Sequence, residues 1–258
     1  MTQTTSFLDT EIIYPETDGV PMAESDPARD YLIYGVEALS IYFQNLEDVY
    51  VSGNLFIYYK KGVPDAVVAP DVFVVKGVEK KKRKSYKVWE EGNKVPEFVL
   101  EVTSKGTQYT DETDKPRKYQ ELGVAEYFQY DPTGDYLQPQ LKGSRLMSGS
   151  YQPIAPTLLP DGVLSIRSEA LGLDLRLIGK ELRLIDPQTG KKLLSYQETE
   201  QARQQAELAL QQEAQARQQA ELALTEAVPR LLGLGLSLEQ VASALGLSVS
   251  EVRQISQE

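Results

Sequence analysis

Runs of apolar residues, at helical spacing in some stretches and continuous in others, divide the chain into the helices and strands of an α/β protein. After a Ser-Asp-Pro start at 25–27, apolar side chains recur at helical spacing as far as 45, which predicts one amphipathic helix. Short runs rich in β-branched and aromatic residues predict strands at 49–52, 54–59, 70–75, 98–104, 127–132, 137–141, 144–147, 151–154, 173–177 and 182–185. A second helix is predicted at about 114–122, because Pro116 fits only a first turn and Gly123 is a natural terminator. This order of elements indicates an α/β core.

Two of the predicted strands each carry a single carboxylate inside an otherwise apolar run. Asp71 lies in Ala-Pro-Asp-Val-Phe-Val-Val, and Glu101 lies in Phe-Val-Leu-Glu-Val-Thr-Ser. An unpaired charge among apolar neighbours is costly, so something should compensate each carboxylate. The simplest compensation is a divalent cation held between Asp71 and Glu101, because Mg²⁺ takes a few carboxylate oxygens from a protein and keeps several waters.

A lysine at the beginning of the predicted second helix, Lys115, would place an ammonium near the two acids. In phosphodiester hydrolysis a metal ion polarises the phosphate and activates a water, while an ammonium stabilises developing negative charge. Each residue also has an ordinary interpretation. Asp71 follows a proline as turn residues do, and Glu101 fits a solvent-facing strand position. Asp111 and Lys115 have the spacing of a common helical ion pair. Their order on strand, strand and helix favours the catalytic interpretation.

The amino-acid composition excludes several other kinds of chemistry. The 258 residues contain no cysteine and no histidine. Disulfides, thiolate metal sites, imidazole zinc sites and Ser-His-Asp triads are therefore excluded. An apolar content of 41% over this length suits one sizeable domain with an appendage. Any hydrolysis must then use carboxylates, lysine, tyrosine and metal-bound water.

The net charge of −11 argues against tight, non-specific coating of DNA, since such binding depends on phosphate neutralisation. One basic run between the two acidic strands is the exception: Lys80, Lys81, Lys82, Arg83 and Lys84. A solvated loop is the simplest interpretation of a charge run, but its position favours a loop that holds nucleic-acid phosphates. The first residues lack a basic and apolar leader, and no window reaches the length of a membrane span, so we expect a cytoplasmic protein with no membrane partner.

Three spaced motifs together resemble the Uma-type family of restriction endonucleases, a branch of the PD-(D/E)XK nuclease superfamily. The similarity covers roughly 25–175, and its motifs are Pro70-Asp71, Glu101-Val102-x-Ser104, and Asp111-x-x-x-Lys115-Pro116-x-x-Tyr119 running into Gly123-Val124. The resemblance implies a restriction-endonuclease-like core of mixed sheet flanked by helices. It also implies cleavage of nucleic acid, with DNA the expected polymer, using Mg²⁺ or alternatively Mn²⁺.

The resemblance also implies roles for individual residues. Asp71, Glu101 and the backbone carbonyl of Val102 would bind the metal. Superfamily members usually carry a lysine two residues after the second acid, where this chain has Thr103. Lys115 would take that role, with Lys105 as the rival candidate. An acid from the first helix can approach the metal in the wider superfamily, which makes Glu37 a candidate third acid; an exposed helical glutamate is the alternative.

The last quarter of the chain predicts a long helical extension. The ten residues at 201–210 recur unchanged at 215–224, a period of two heptads, within a predicted helix at 196–228. Its alanine seam would bury little area, so a weak coiled coil or a helical spacer is expected, with homodimerisation as a hypothesis. Residues 229–258 resemble a helix-turn-helix pair, with Gly246 at the turn and Ser248 or Ser250 as the cap. The second helix, predicted at 250–257, carries only Arg253 as a cation, which favours a packing module over DNA binding.

These boundaries predict a flexible arm at 1–25 and a nuclease-like domain at 26–195, followed by the helical extension. Two functions remain open at this point. The chain is either a metal-dependent endonuclease or a catalytically inactive nuclease-fold protein that binds or assembles through its C-terminal helix. The acidity and Thr103 favour the second, and the joint presence of Asp71, Glu101 and Lys115 favours the first. Convergence of those three side chains in the folded protein would distinguish the two.

Overall fold

The computed structural model describes residues 12–16, 25–104 and 106–256. The helices are α1 (Asp26–Tyr42), α2 (Gln108–Glu112), α3 (Asp114–Leu122), α4 (Tyr196–Gly233), α5 (Leu238–Leu245) and α6 (Val249–Ile255). The strands are β1 (Val49–Ser52), β2 (Ile57–Tyr58), β3 (Val67–Val68), β4 (Val72–Lys76), β5 (Tyr86–Lys87), β6 (Phe98–Val102), β7 (Glu126–Tyr130), β8 (Leu141–Met147), β9 (Ser150–Pro153), β10 (Thr157–Leu158), β11 (Leu164–Ser168), β12 (Leu173–Ile178) and β13 (Glu181–Ile185). The chain forms two compact units that divide between Tyr196 and Gln197.

A six-stranded mixed sheet forms the centre of the first unit. Its strand order is β1-β4-β6-β7-β8-β9, and the β6–β7 pair is parallel while its other pairs are antiparallel. Alternate residues of a strand face opposite sides of a sheet. Accordingly, Val72 and Val74 pack on the side of α1, while Phe73 and Val75 pack with Tyr119 of α3. The predicted α/β class, a mixed sheet flanked by helices and followed by a long C-terminal helix, is confirmed.

The elements that carry the candidate residues form as their local sequence predicts. Ser25 caps α1 by accepting a hydrogen bond from the Ala28 N–H at 3.4 Å, although the helix ends at Tyr42, before the predicted 45. α3 begins at Asp114, as the position of Pro116 predicts. It ends at Gly123, whose φ of +87° lies in the left-handed region that glycine adopts freely.

Two smaller sheets flank the central one, and the sequence predicted them only in part. They have the strand orders β3-β2-β5 and β10-β11-β12-β13. β3, β5, β10 and β11 were missed, and the strand predicted at 54–59 is limited to Ile57–Tyr58. The strand predicted at 137–141 is wrong except for Leu141. There the carboxylate of Asp131 accepts hydrogen bonds from the N–H groups of Tyr136 and Leu137. These two N–H groups are therefore bonded within a turn and do not pair with a neighbouring strand.

The predicted N-terminal arm lies mostly outside the described residues. Within it, 12–16 is ordered against the first unit, because the ring of Tyr14 lies 5.1 Å from the rings of both Tyr58 and Trp89. Aromatic packing thus accounts for the position of this short stretch, and the flexible arm at 1–25 stays a prediction.

The second unit consists of one long helix and a short helical pair. α4 continues through Pro229 to Gly233, five residues beyond the predicted end, and every residue from 201 to 223 is exposed. Ser248, one of the two candidate caps, caps α6 with a capping box, so this helix begins at Val249 instead of Ser250. Val228 and Val241 are buried in a small separate core with Val252. Homodimerisation through α4 stays a prediction.

Among the residues that the structure covers, none of the helices combines the length and the apolar character that a membrane crossing requires.

Candidate active site

The two strand carboxylates lie opposite each other at the same end of neighbouring strands. β4 and β6 are antiparallel, with Val72 opposite Leu100, so extending this register by one residue places Asp71 opposite Glu101. The Oδ2 atom of Asp71 accepts a hydrogen bond from the N–H of Val102 at 2.7 Å. Glu101 is fully buried. The sheet register therefore brings together two acids that are thirty residues apart in the chain.

Lys115 completes this cluster from the first turn of α3. Its Nζ atom lies 2.7 Å from Oε2 of Glu101 and 2.8 Å from Oδ1 of Asp111. The other oxygen of Glu101, Oε1, accepts a hydrogen bond from the hydroxyl of Tyr119, one turn further along the helix. One helix thus holds both oxygens of the buried carboxylate.

Asp111 is a second buried carboxylate that sequence reasoning did not recognise as part of the site. Its backbone carbonyl accepts hydrogen bonds from the Tyr127 hydroxyl at 2.7 Å and from Nε2 of Gln129 at 2.9 Å. Its Oδ2 atom has no hydrogen-bond partner among the described residues, although it is buried. The predicted i,i+4 ion pair between Asp111 and Lys115 is present. An exposed helical ion pair has the same spacing in the sequence, so the spacing does not show that Asp111 is buried.

Burial dominates the electrostatics of the cluster. Burial raises the pKa of Asp71 well above its ordinary value, and the nearby charge of Glu101 raises it further. The pKa of Glu101 is also raised by burial, despite the opposing effect of Lys115. Burial alone would lower the pKa of Lys115, but the surrounding carboxylates outweigh it and raise that pKa, so the side chain stays an ammonium.

The cluster carries more negative than positive charge. With all groups ionised, three carboxylates share one ammonium, which leaves an excess of two negative charges in a mostly buried place. Within the described ranges, no group of three acidic side chains is placed to hold a metal ion by itself. That Asp71 and Glu101 supply two metal ligands, with the remaining positions left to backbone oxygen and water as Mg²⁺ prefers, stays a prediction.

The other predicted site residues are less closely connected to this cluster. Val102 uses its N–H to orient Asp71, and a ligand role for its carbonyl stays a prediction. Glu37 is half-buried on α1, and no hydrogen bond or ion pair joins it to the cluster in the described part of the chain. Lys105, the rival catalytic lysine, lies outside the described residues. Thr103 is buried, and its hydroxyl oxygen has no hydrogen-bond partner among the residues described.

The basic run follows the end of β4 that is far from Asp71, since the five residues of the strand, at about 3.3 Å per residue, separate Asp71 from that end. Four of its five cations have a carboxylate or carbonyl partner within the protein. Lys80 donates to the carbonyl of Phe43 at 2.9 Å, and Arg83 is paired with Glu91 at 2.8 Å while its guanidinium lies over the ring of Tyr50. These contacts hold the loop to the body of the protein. A role in holding nucleic acid stays a prediction for this run.

Gly53 fixes the approach to Asp71, and its replacement supplies a direct test. A Cβ atom at this position would overlap the backbone oxygen of Asp71 and lie 2.8 Å from Cγ2 of Val36. We expect Gly53→Ala to lower the free energy of unfolding by about 2 kcal/mol, the usual cost of overpacking, and to weaken Mg²⁺ binding by displacing Asp71.

Urea unfolding and calorimetric titration of Mg²⁺ would measure these two effects. Gly106→Ala is the matched control, because the nearest atom to its added methyl group is 4.0 Å away. Equal stability and metal affinity in the Gly53→Ala and Gly106→Ala proteins would contradict the proposed close packing.

Comparisons with known proteins agree with the resemblance noted in the sequence. The chain is similar over 55% of its length to the crystal structure of a putative nuclease belonging to DUF820 from Anabaena variabilis ATCC 29413, with 12% identity, a TM-score of 0.39 and 75% of that chain covered. No curated protein matches. The model of the Uma2 family, described as "Putative restriction endonuclease", matches residues 24–177. Since that match spans more than half of the chain, this protein belongs to the Uma2 family of putative restriction endonucleases.

Proposed function

We propose that this protein is a divalent-metal-dependent endonuclease that hydrolyses phosphodiester bonds of nucleic acid, with DNA as the expected polymer. The observation that carries the proposal is the convergence of Asp71, Glu101 and Lys115. These side chains come from two neighbouring strands and a helix. The ammonium of Lys115 nevertheless lies 2.7 Å from Glu101, and the strand register places Glu101 opposite Asp71. Membership of a family described as restriction endonucleases supports the same class of reaction.

Each residue of the cluster has a distinct part in this reaction. Asp71 and Glu101 would hold the ion, and the N–H of Val102 orients the first of them. When bound, Mg²⁺ or Mn²⁺ polarises the scissile phosphate and lowers the pKa of a water.

Lys115 stays protonated, so it cannot act as the base; instead, its positive charge stabilises the negative charge that develops on the phosphate. Asp111 also holds this ammonium, at 2.8 Å, and Tyr119 fixes the orientation of the Glu101 carboxylate.

The direct test is to titrate Mg²⁺ and Mn²⁺ into the protein by calorimetry and to follow cleavage of plasmid and single-stranded circular DNA on the same samples. Saturable binding together with ion-dependent cleavage is the expected result. Binding of neither ion would exclude the proposed mechanism.

The second candidate is a catalytically inactive protein that assembles through its C-terminal helix. The uninterrupted exposure of residues 201–223 on α4 favours it, because a long exposed helix is free to pair with another. Sedimentation of the full chain and of Leu208→Gln, which changes an exposed leucine of the repeat, would test assembly. An oligomer that dissociates in the variant, together with absent metal binding, would favour this candidate over the nuclease.

The raised pKa values predict how pH acts on the ion-free protein. Asp71 and Glu101 bind protons more tightly in the folded chain than at their ordinary values of 3.8 and 4.5. The stability that this tighter binding contributes is complete below about pH 4 and is lost as pH rises through the higher folded-state values. Mg²⁺ needs the ionised carboxylates, so the stabilisation that it confers should grow over the same range.

Thermal unfolding between pH 4 and pH 8, with and without Mg²⁺, would measure both trends. The Asp71→Asn protein is the control, because it lacks one of the two titrating groups and should show a smaller dependence on pH. A Mg²⁺-induced rise in melting temperature that does not change with pH would contradict the prediction.

A further inference from the structure

A cleft of about 530 Å³ opens beside the acid cluster, and Lys115 belongs to both. One wall is apolar and consists of Phe56, Val67, Val68 and Ala69. The last of these precedes Asp71 by two residues, so a group bound in the cleft would lie next to the proposed metal ligands. The opposite wall belongs to α2 and α3.

The wall from α2 and α3 is cationic. Lys115, Arg117 and Lys118 line it, together with Thr110 and a single carboxylate, Asp114. The side chain of Arg117 is 76% exposed, so its guanidinium remains accessible although it pairs with Asp114 at 3.0 Å. The charge of Lys115 is taken up by Glu101 and Asp111, so the cations left to form a local site for an anion are Arg117 and Lys118.

The apolar wall offers a supported aromatic surface. Phe56 is half-buried, and its ring meets the ring of Tyr58 edge to face with centroids 6.1 Å apart. Its backbone carbonyl accepts a hydrogen bond from the N–H of Tyr86 at 2.7 Å, which fixes the chain at this point. A held aromatic ring of this kind is a surface on which a nucleobase can stack.

We infer that this cleft binds one unpaired nucleotide next to the scissile phosphate, an inference that rests on the proposed nuclease function. The base contacts Phe56 and the apolar wall, while Arg117 and Lys118 contact the adjoining phosphate. The bases of a duplex are stacked on one another and paired, so a base reaches this wall only from a single strand or after leaving the helix. The substrate class is therefore single-stranded DNA, or DNA with an unpaired nucleotide at the site of cleavage.

Fluorescence anisotropy of the full-length protein with a labelled DNA single strand, and with the same strand in a blunt duplex, tests this inference. The binding solution contains Ca²⁺ in place of Mg²⁺, so that a divalent ion that binds oxygen ligands is present during the measurement. We expect tighter binding of the single strand. Phe56→Ala should weaken single-strand binding by about 5- to 100-fold, the usual effect of losing one stacked base, and leave duplex binding unchanged. Tyr42→Ala, which removes an exposed aromatic ring from α1, is the matched control and should change neither.

Equal affinity for single strand and duplex, or no effect of Phe56→Ala, would overturn the inference. Should Phe56→Ala fail to fold, the double variant Arg117→Gln/Lys118→Gln decides, because both positions are exposed. It should weaken single-strand binding and reduce its dependence on salt, and unchanged binding would overturn the inference.

Calorimetry separates this outcome from failure of the nuclease proposal. Phe56 is not a metal ligand, so Phe56→Ala should bind Mg²⁺ as the wild type does. Phe56-dependent binding of single strands by a protein that binds no Mg²⁺ would support the cleft and exclude the nuclease mechanism.

Discussion

Replacing Glu101 by glutamine is expected to abolish metal binding and to reduce strand cleavage by about a thousandfold, the scale on which loss of one preorganised charge acts. Glutamine keeps the volume and shape of the side chain. It removes the negative charge that faces Asp71, and it places an amide among the ammonium of Lys115 and the hydroxyl of Tyr119. Lys115 keeps Asp111 as a charged partner, and the cluster loses one of its excess negative charges, so the ion-free protein should be about as stable as the wild type.

Calorimetric titration of Mg²⁺, plasmid cleavage and urea unfolding would measure these three properties of the Glu101→Gln protein. Glu121→Gln is the matched control, because Glu121 lies on α3, is 49% exposed and pairs only at the surface with Lys60. It should retain metal affinity and cleavage. Cleavage by the Glu101→Gln protein at the rate of the control would rule out Glu101 as a metal ligand.

Replacing Lys115 by methionine is expected to have the largest effect on stability. The change leaves the buried carboxylates of Glu101 and Asp111 without their shared ammonium. Removing one partner from a buried ion pair costs roughly 3 kcal/mol. The loss should be smaller at pH 5 than at pH 7.5, because the two carboxyl groups can take up protons when the ammonium is absent. Cleavage should also fall, since the charge that faces the phosphate is lost.

Urea unfolding at both pH values would measure the effect on stability, and a cleavage assay would measure the effect on activity. The double variant Lys115→Met/Asp111→Asn should recover part of the stability, because it removes one of the uncompensated charges, but it should recover no activity. Lys105→Met is the control for the rival lysine and should still cleave. Full cleavage by Lys115→Met together with loss in Lys105→Met would transfer the catalytic role to Lys105.

The inferred single-strand cleft changes which substrates should be tried first. A nuclease that needs an unpaired base would leave an intact duplex uncut and would cleave single strands, flaps or bulges. An assay limited to linear duplex DNA could therefore report no activity from a fully competent protein.

The sequence by itself determined the elements that carry the candidate residues, and it excluded several kinds of chemistry. Strand-forming runs around Asp71 and Glu101, the start of α3 near Pro116 and its end at Gly123 depend on residues that are adjacent in the chain. Local preferences of this kind can be read without knowing the fold. The absence of histidine and cysteine likewise limited any hydrolysis to carboxylates, lysine, tyrosine and metal-bound water before any contact was known.

Only the tertiary structure decided how those residues meet. The register that places Asp71 opposite Glu101 depends on strand pairing, and the hydrogen bond from Val102 to Asp71 joins residues 31 positions apart. Burial made Asp111 part of the site, although its spacing from Lys115 is the same as that of a surface pair. Phe56 became a wall of the cleft through the fold around it. Burial and register depend on contacts between distant parts of the chain, which local patterns do not specify.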